Sequence, residues 1–76
     1  MRDVTIEIVV HDDRLVVMFN RMVVFSTLCR YAEMVIDREG PLSLARMIFD
    51  SLLPSVAGHL EDMVKRKAGE ARSSEG

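Results

Sequence analysis

The side chains able to do chemistry are few in this chain, and they are scattered. His11 and His59 are the only histidines, and Cys29 is the only cysteine. No second type of ligand stands at a metal-binding interval from either histidine, so a surface position is predicted for both. Cys29 has no neighbouring histidine or cationic cluster to stabilise a thiolate, which indicates a small buried hydrophobic residue.

The acidic residues, glycines and basic residues also lack the spacing of an active site. Asp12-Asp13 is explained better as a turn or a helix cap than as an acid–base pair. The four glycines are isolated from one another, so the sequence has no glycine-rich phosphate loop. The run Lys65-Arg66-Lys67 could contact phosphate, but cations are also favoured near a helix C-terminus. We therefore expect a non-enzymatic protein with no catalytic, cofactor-binding or metal-binding residues and no cofactor.

One tripeptide, Asp50-Ser51-Leu52, has the form of the modification site of acyl carrier proteins. In that family the serine opens a helix after a loop that contains glycine. Here Phe49 precedes the tripeptide and the apolar period runs straight through it. A match over three residues is a weak signal, and the net charge of −2 is unlike those strongly acidic carriers.

The size and composition of the chain point to association with another protein. Seventy-six residues form one domain, which buries only about 60% of the surface that its unfolded chain exposes. A single cysteine cannot form an internal disulfide, and hydrophobic residues make up 49% of the chain. A second chain is then the remaining source of stability. Because no apolar signal segment or membrane-spanning run of about 20 residues is visible, we expect a cytoplasmic protein with no membrane partner.

The first two thirds of the sequence contain one clear strand and two ambiguous segments. Alternating β-branched residues predict a strand over 3–10. Residues 12–25 fit a helix capped by Asp12 or Asp13 and fit a return strand equally well. Residues 25–38 also fit either element, and the sequence from Asp37 to Pro41 is the clearest loop in the chain.

The C-terminal half is predicted to be helical, beginning at Pro41 or Ser43. Pro54 should kink this helix, or end it near Leu53 and let it restart. Its apolar face is the predicted partner interface, formed by Leu44, Ile48, Phe49, Leu52, Val56, Leu60 and Met63. These elements together predict an α+β domain over 1–66, in which a small antiparallel sheet packs against two helices and the last helix is long. Residues 67–76 have nothing to bury, so a disordered C-terminal tail is predicted there.

The C-terminal helix resembles that of the Pcc family, the small dimerisation subunits of the archaeal and eukaryotic KEOPS complex. Ser43, Arg46, Ser51 and Leu53 fall in register with the family pattern, and Asp50 stands where the family usually has Asn. The N-terminal strand followed by Asp12-Asp13 is also similar to that family. Pro54 and the following Ser55 depart from the pattern, since the family usually carries Arg and Trp there.

The resemblance implies a shortened, divergent paralogue in which 12–23 is the first helix and about 30–38 is a strand. It implies a non-catalytic accessory subunit that forms a heterodimer with a KEOPS-type small subunit. Its role would be in the synthesis of threonylcarbamoyl-adenosine in transfer RNA, with RNA contacted only indirectly and Arg46 at a family-pattern position. The alternative hypothesis is a homodimeric scaffold or a regulatory protein that binds nucleic acid.

Overall fold

The computed structural model describes the backbone of residues 4–75 and the side chains of residues 4–70. The elements are β1 (Ile6–His11), β2 (Arg14–Phe19), β3 (Met22–Leu28), α1 (Cys29–Glu39) and α2 (Pro41–Glu75). The three strands form one antiparallel sheet in the order β1-β2-β3. The predicted α+β class, with a small antiparallel sheet and a long second helix, is therefore confirmed.

Two-residue turns connect the three strands, and both contain left-handed backbone without glycine. Asp12 has φ 56° in the first turn, and Asn20 and Arg21 have φ 48° and 68° in the second. In the second turn both central residues have positive φ, which is typical of a type I′ turn, whose twist matches that of paired strands. Asn20 is also hydrogen-bonded to Thr5, the residue just before β1. The Asn20 N–H donates to Thr5 O at 2.8 Å, and the Asn20 Oδ1 accepts from Thr5 N–H at 2.9 Å.

The ambiguous segment 12–25 therefore forms strands, and the helix over 12–23 that the resemblance implies is wrong. Leu15, Val17 and Phe19 alternate on β2 and turn to the buried side of the sheet. Asp12 serves as a turn residue and not as a helix cap. The stiff, branched valines on both strands fit a pleated sheet better than a helix.

The segment 25–38 is divided between an element of each kind. Its first residues complete β3, and α1 begins at Cys29. The strand over 30–38 that the resemblance implies is consequently wrong, because Ala32 and Val35 repeat at helical spacing and are both buried. The helix ends at Gly40, whose N–H donates to Ile36 O at 2.9 Å and whose φ of 92° favours glycine.

The long helix α2 continues through Pro54 and does not end near Leu53. The missing N–H of a proline leaves the carbonyl of residue 50 without its intrahelical donor, at a cost of about 3 kcal/mol. Residues on both sides of Pro54 share one packed face, since Ile48, Leu52 and Val56 all contact the core. This packing offsets the cost of the proline and keeps the two halves in one helix.

The C-terminal end of α2 differs from the sequence prediction. A disordered tail is predicted over 67–76, whereas the helix extends to Glu75 and Gly76 lies outside the described residues. Lys, Ala, Glu and Arg predominate from Lys67 onward and are good helix formers. Each added residue then gains one hydrogen bond on a helix that is already nucleated.

The core lies between the sheet and α2, and it is small. In its main cluster Val17, Phe19 and Leu52 are buried, with Val24, Phe25, Ile48 and Val56 packed against them. The other buried side chains are Leu15 on β2 and Ala32 and Val35 on α1. A β-bulge between Val17 and Met18 shifts the β2–β3 register here. The Cα radius of gyration is 17.1 Å, against about 11 Å for a compact domain of this length. The chain is thus elongated, with much of α2 extending past the sheet.

Candidate interaction surface

Strand β1 is the uncovered edge of the sheet. All six of its residues are exposed, including three apolar side chains on the same face as the core, Ile6, Ile8 and Val10. They lie beside Phe19, Val17 and Leu15 in the strand register, all of which are buried. The helices therefore cover the core face of β2 and stop short of β1.

Two apolar grooves run between β1 and the helices. The β1–α2 groove has a volume of about 260 Å³ and is lined only by apolar side chains: Ile6, Ile8, Ala45, Ile48, Phe49 and Leu52. The β1–α1 groove has a volume of about 320 Å³ and is lined by Val10, Leu15, Cys29, Ala32, Glu33, Ile36 and Leu44. Because successive core-facing residues of β1 line the two grooves, the grooves follow each other along this strand.

A row of exposed apolar side chains on α2, the α2 stripe, lies beside the first groove. Its members are Leu42, Phe49, Leu53, Leu60 and Val64, exposed by 80, 63, 57, 53 and 65%. Their spacing of 7, 4, 7 and 4 residues places all five within an arc of about 60°, since an α-helix turns about 100° per residue. The stripe extends over about 33 Å at 1.5 Å per residue. Phe49 belongs to both the stripe and the groove, so the two surfaces are continuous.

The structure separates the predicted interface into three groups of residues. Leu52 is buried in the chain's own core, and Ile48 and Val56 pack against it, so these three side chains stabilise the monomer fold. Leu44 and Met63 are half-buried. Phe49 and Leu60 are exposed members of the α2 stripe.

Several exposed apolar residues lie outside the predicted interface. Leu42, Leu53 and Val64 on α2 are exposed, as are the three core-facing residues of β1. On α2, Leu42, Leu53 and Val64 follow one another at intervals of 11 residues, as do Phe49 and Leu60. This 11-residue repeat is the sequence signal that predicts the stripe. Arg46, the family-pattern position, is exposed on α2 close to this row.

The residues considered for chemistry are not brought together. The His11 side chain is exposed, whereas His59 is half-buried and its Nε2 is turned into the protein, so a surface position is found for His11 and only in part for His59. His59 follows Leu52 and Val56 on the packed side of α2, which explains its burial. Cys29 is half-buried in the β1–α1 groove. No group of three or more potential metal ligands exists in the part of the chain whose side chains are described.

The acyl-carrier motif and the basic run both have structural explanations. Ser51 lies inside α2, where its hydroxyl donates to Met47 O at 3.1 Å, and no loop precedes it. Lys65 and Arg66 pair with Glu61 and Asp62, four residues earlier on the helix, at 3.1 and 3.2 Å. These exposed pairs contribute only a few tenths of a kcal/mol each.

Comparison with protein-family models, with curated proteins and with solved structures gives no match. Within the described residues, none of the helices has both the length and the apolar character needed to span a membrane. The continuous apolar surface of β1 and α2 is the candidate functional site.

Proposed function

We propose that this chain is a non-catalytic association subunit, whose β1 edge and α2 stripe are covered by a partner protein. The observation that carries the proposal is the continuous surface formed by the β1–α2 groove and the stripe, with Phe49 common to both. Monomeric proteins rarely expose large contiguous apolar patches, and such patches usually mark sites of interaction with another molecule.

The size of the core supports the same role. Among the described residues only six hydrophobic side chains are buried, while sixteen large ones are exposed. A domain of this length is already marginal, and one with so few buried side chains gains stability mainly from a second chain. Association therefore accounts both for the apolar composition and for the elongated shape.

The more specific form of the proposal is a heterodimer with a KEOPS-type small subunit, in support of threonylcarbamoyl-adenosine synthesis on transfer RNA. Its support is the register of Ser43, Arg46, Ser51 and Leu53, together with the continuity of α2 through Pro54. An unbroken helix offers one long surface to such a partner. The element order upstream of α2 does not follow the resemblance, so the support is confined to this helix.

Co-expression with a KEOPS-type small subunit, followed by size-exclusion chromatography with light scattering, tests the heterodimer. We expect a single peak with the summed mass, and separation into two peaks when Phe49 is replaced by Asp. Gly58→Glu is the matched control, because it adds the same charge on another side of α2, where the space is open. Two separate peaks for the native pair would overturn the KEOPS-type function.

The second candidate function is a homodimeric scaffold. It is favoured by β1, a regular and fully exposed edge strand that can pair with its own copy. A stable homodimer in the absence of any other chain would support this function over the first. Retention on RNA or DNA that weakens with salt would indicate the nucleic-acid-binding version.

A further inference from the structure

We propose that the partner at the β1 edge is a second copy of this chain, joined by antiparallel β1–β1 pairing around a two-fold axis at Val9. This inference rests on the proposed association role in its homodimeric form, and adds the strand register and the geometry of contact.

The edge of β1 has free backbone groups in a defined pattern. The N–H of Asn20 donates to Thr5 O, and the β1–β2 register is regular from Ile6 to His11. Because hydrogen-bonded residues alternate in an antiparallel ladder, Glu7 and Val9 point their backbone groups to β2. Ile6, Ile8 and Val10 then point theirs away from the sheet, where a fourth strand would pair.

The other edge of the sheet is less suited to such pairing. Strand β3 contains the register shift opposite Val17 and Met18, and bulges of this kind blunt an edge. Both helices also contact β3, and its last residue leads directly into α1. Strand β1 has neither protection, so it is the edge open to a second chain.

A two-fold axis normal to the sheet at Val9 gives complementary neighbours across the new pair. On the core face, Ile8 lies opposite Val10 of the second copy and extends the apolar layer. On the other face, Glu7 lies opposite His11 of the second copy, which sets a carboxylate against an imidazole. An imidazole N–H can donate to a carboxylate across such a pair, whereas a register centred on Glu7 would place two carboxylates together, which destabilises a sheet.

The same axis brings the helices of the two copies side by side. Both α2 helices lie on the core face of the extended sheet and run antiparallel, so their stripes face one another across the axis. The stripe and the core-facing residues of β1, eight exposed apolar side chains in all, would lie within this contact. One symmetric contact thus covers both exposed surfaces.

Disulfide trapping of the full chain tests the register. In a Cys29→Ser background, Val9→Cys places two thiols at a non-hydrogen-bonded pair with Cα atoms about 4.5 Å apart, within the range of a disulfide. Val23→Cys is the matched control, since this valine lies on the same open face of the sheet but on β3. We expect the Val9→Cys chain to form cross-linked dimer at least about tenfold faster than the Val23→Cys chain.

Light scattering over a concentration series completes the test. The native chain should have twice its mass of 8.6 kDa, and Leu53→Glu should weaken the dimer by about 100-fold while Gly58→Glu leaves it unchanged. A native dimer whose two cysteine variants cross-link equally overturns the β1 pairing but leaves the association role intact. A folded monomer at every concentration overturns this inference, and the co-elution experiment above then decides the proposed function separately.

Discussion

The ring of His59 lies edge-on against the ring of Phe19, with centroids 6.1 Å apart and planes inclined by 73°. The two side chains join the far end of the core to α2, five residues beyond Pro54. The Nε2 of His59 is buried there and has no hydrogen-bond partner among the described residues. This contact therefore combines a favourable aromatic geometry with an uncompensated polar atom.

His59→Phe should stabilise the chain, because it keeps the edge-on ring and removes the buried nitrogen. A buried unsatisfied group costs about 1–3 kcal/mol, so we expect a gain of about 1 kcal/mol in the free energy of unfolding. Urea denaturation at a fixed protein concentration measures it. His59→Ala is the control and should destabilise, since it removes the ring as well; a loss in His59→Phe would show that the nitrogen has a partner.

Arg21→Gly should also stabilise the fold, through the turn between β2 and β3. Arg21 has φ 68°, a left-handed conformation that costs a non-glycine residue about 1 kcal/mol. Asn-Gly is the preferred pair for such a turn, so the variant should raise the free energy of unfolding by about 1 kcal/mol. Arg21→Ala keeps the strain and serves as the control. Equal stability of the two variants would rule out backbone strain as the cause.

These turns also explain why the middle of the chain could not be predicted from sequence. Leu15, Val17 and Phe19 fit a strand, while Leu15, Met18 and Phe19 fit a helix, and no Gly or Pro marks the second turn. Pairing with β1 on one side and β3 on the other decides between them. By contrast, β1 and α2 each show one uninterrupted period, and both could be predicted.

The interaction surface was only partly predictable for a related reason. Periodicity identifies α2 as apolar, but several adjacent faces of the helix carry apolar residues. Which face packs inside depends on how α2 lies on the sheet, and this placed Leu52 in the core and left Phe49 and Leu53 exposed. The exposure of Ile8 likewise follows from how far the helices extend, which no local pattern records.

The two glycines at Gly40 and Gly58 should respond oppositely to alanine. Gly58 lies inside α2 with open space around it, so Gly58→Ala should add about 0.5–1 kcal/mol to the free energy of unfolding. Gly40 has φ 92° at the end of α1, so Gly40→Ala should cost about 1 kcal/mol or more. Thermal denaturation of both variants measures the difference, and a gain at Gly40 would contradict the left-handed helix end.

Pro54→Ala should stabilise the fold more than His59→Phe, Arg21→Gly or Gly58→Ala. It restores a helical N–H that can donate to the carbonyl of Asp50, and a proline in a helix interior costs about 3 kcal/mol. We expect a gain of up to about 3 kcal/mol in the free energy of unfolding, measured by urea denaturation. Pro41→Ala is the control, because Pro41 occupies the first position of the helix, where no N–H is needed. A gain no larger than that of the control would mean that α2 bends at Pro54 in a way that its packing against the sheet requires.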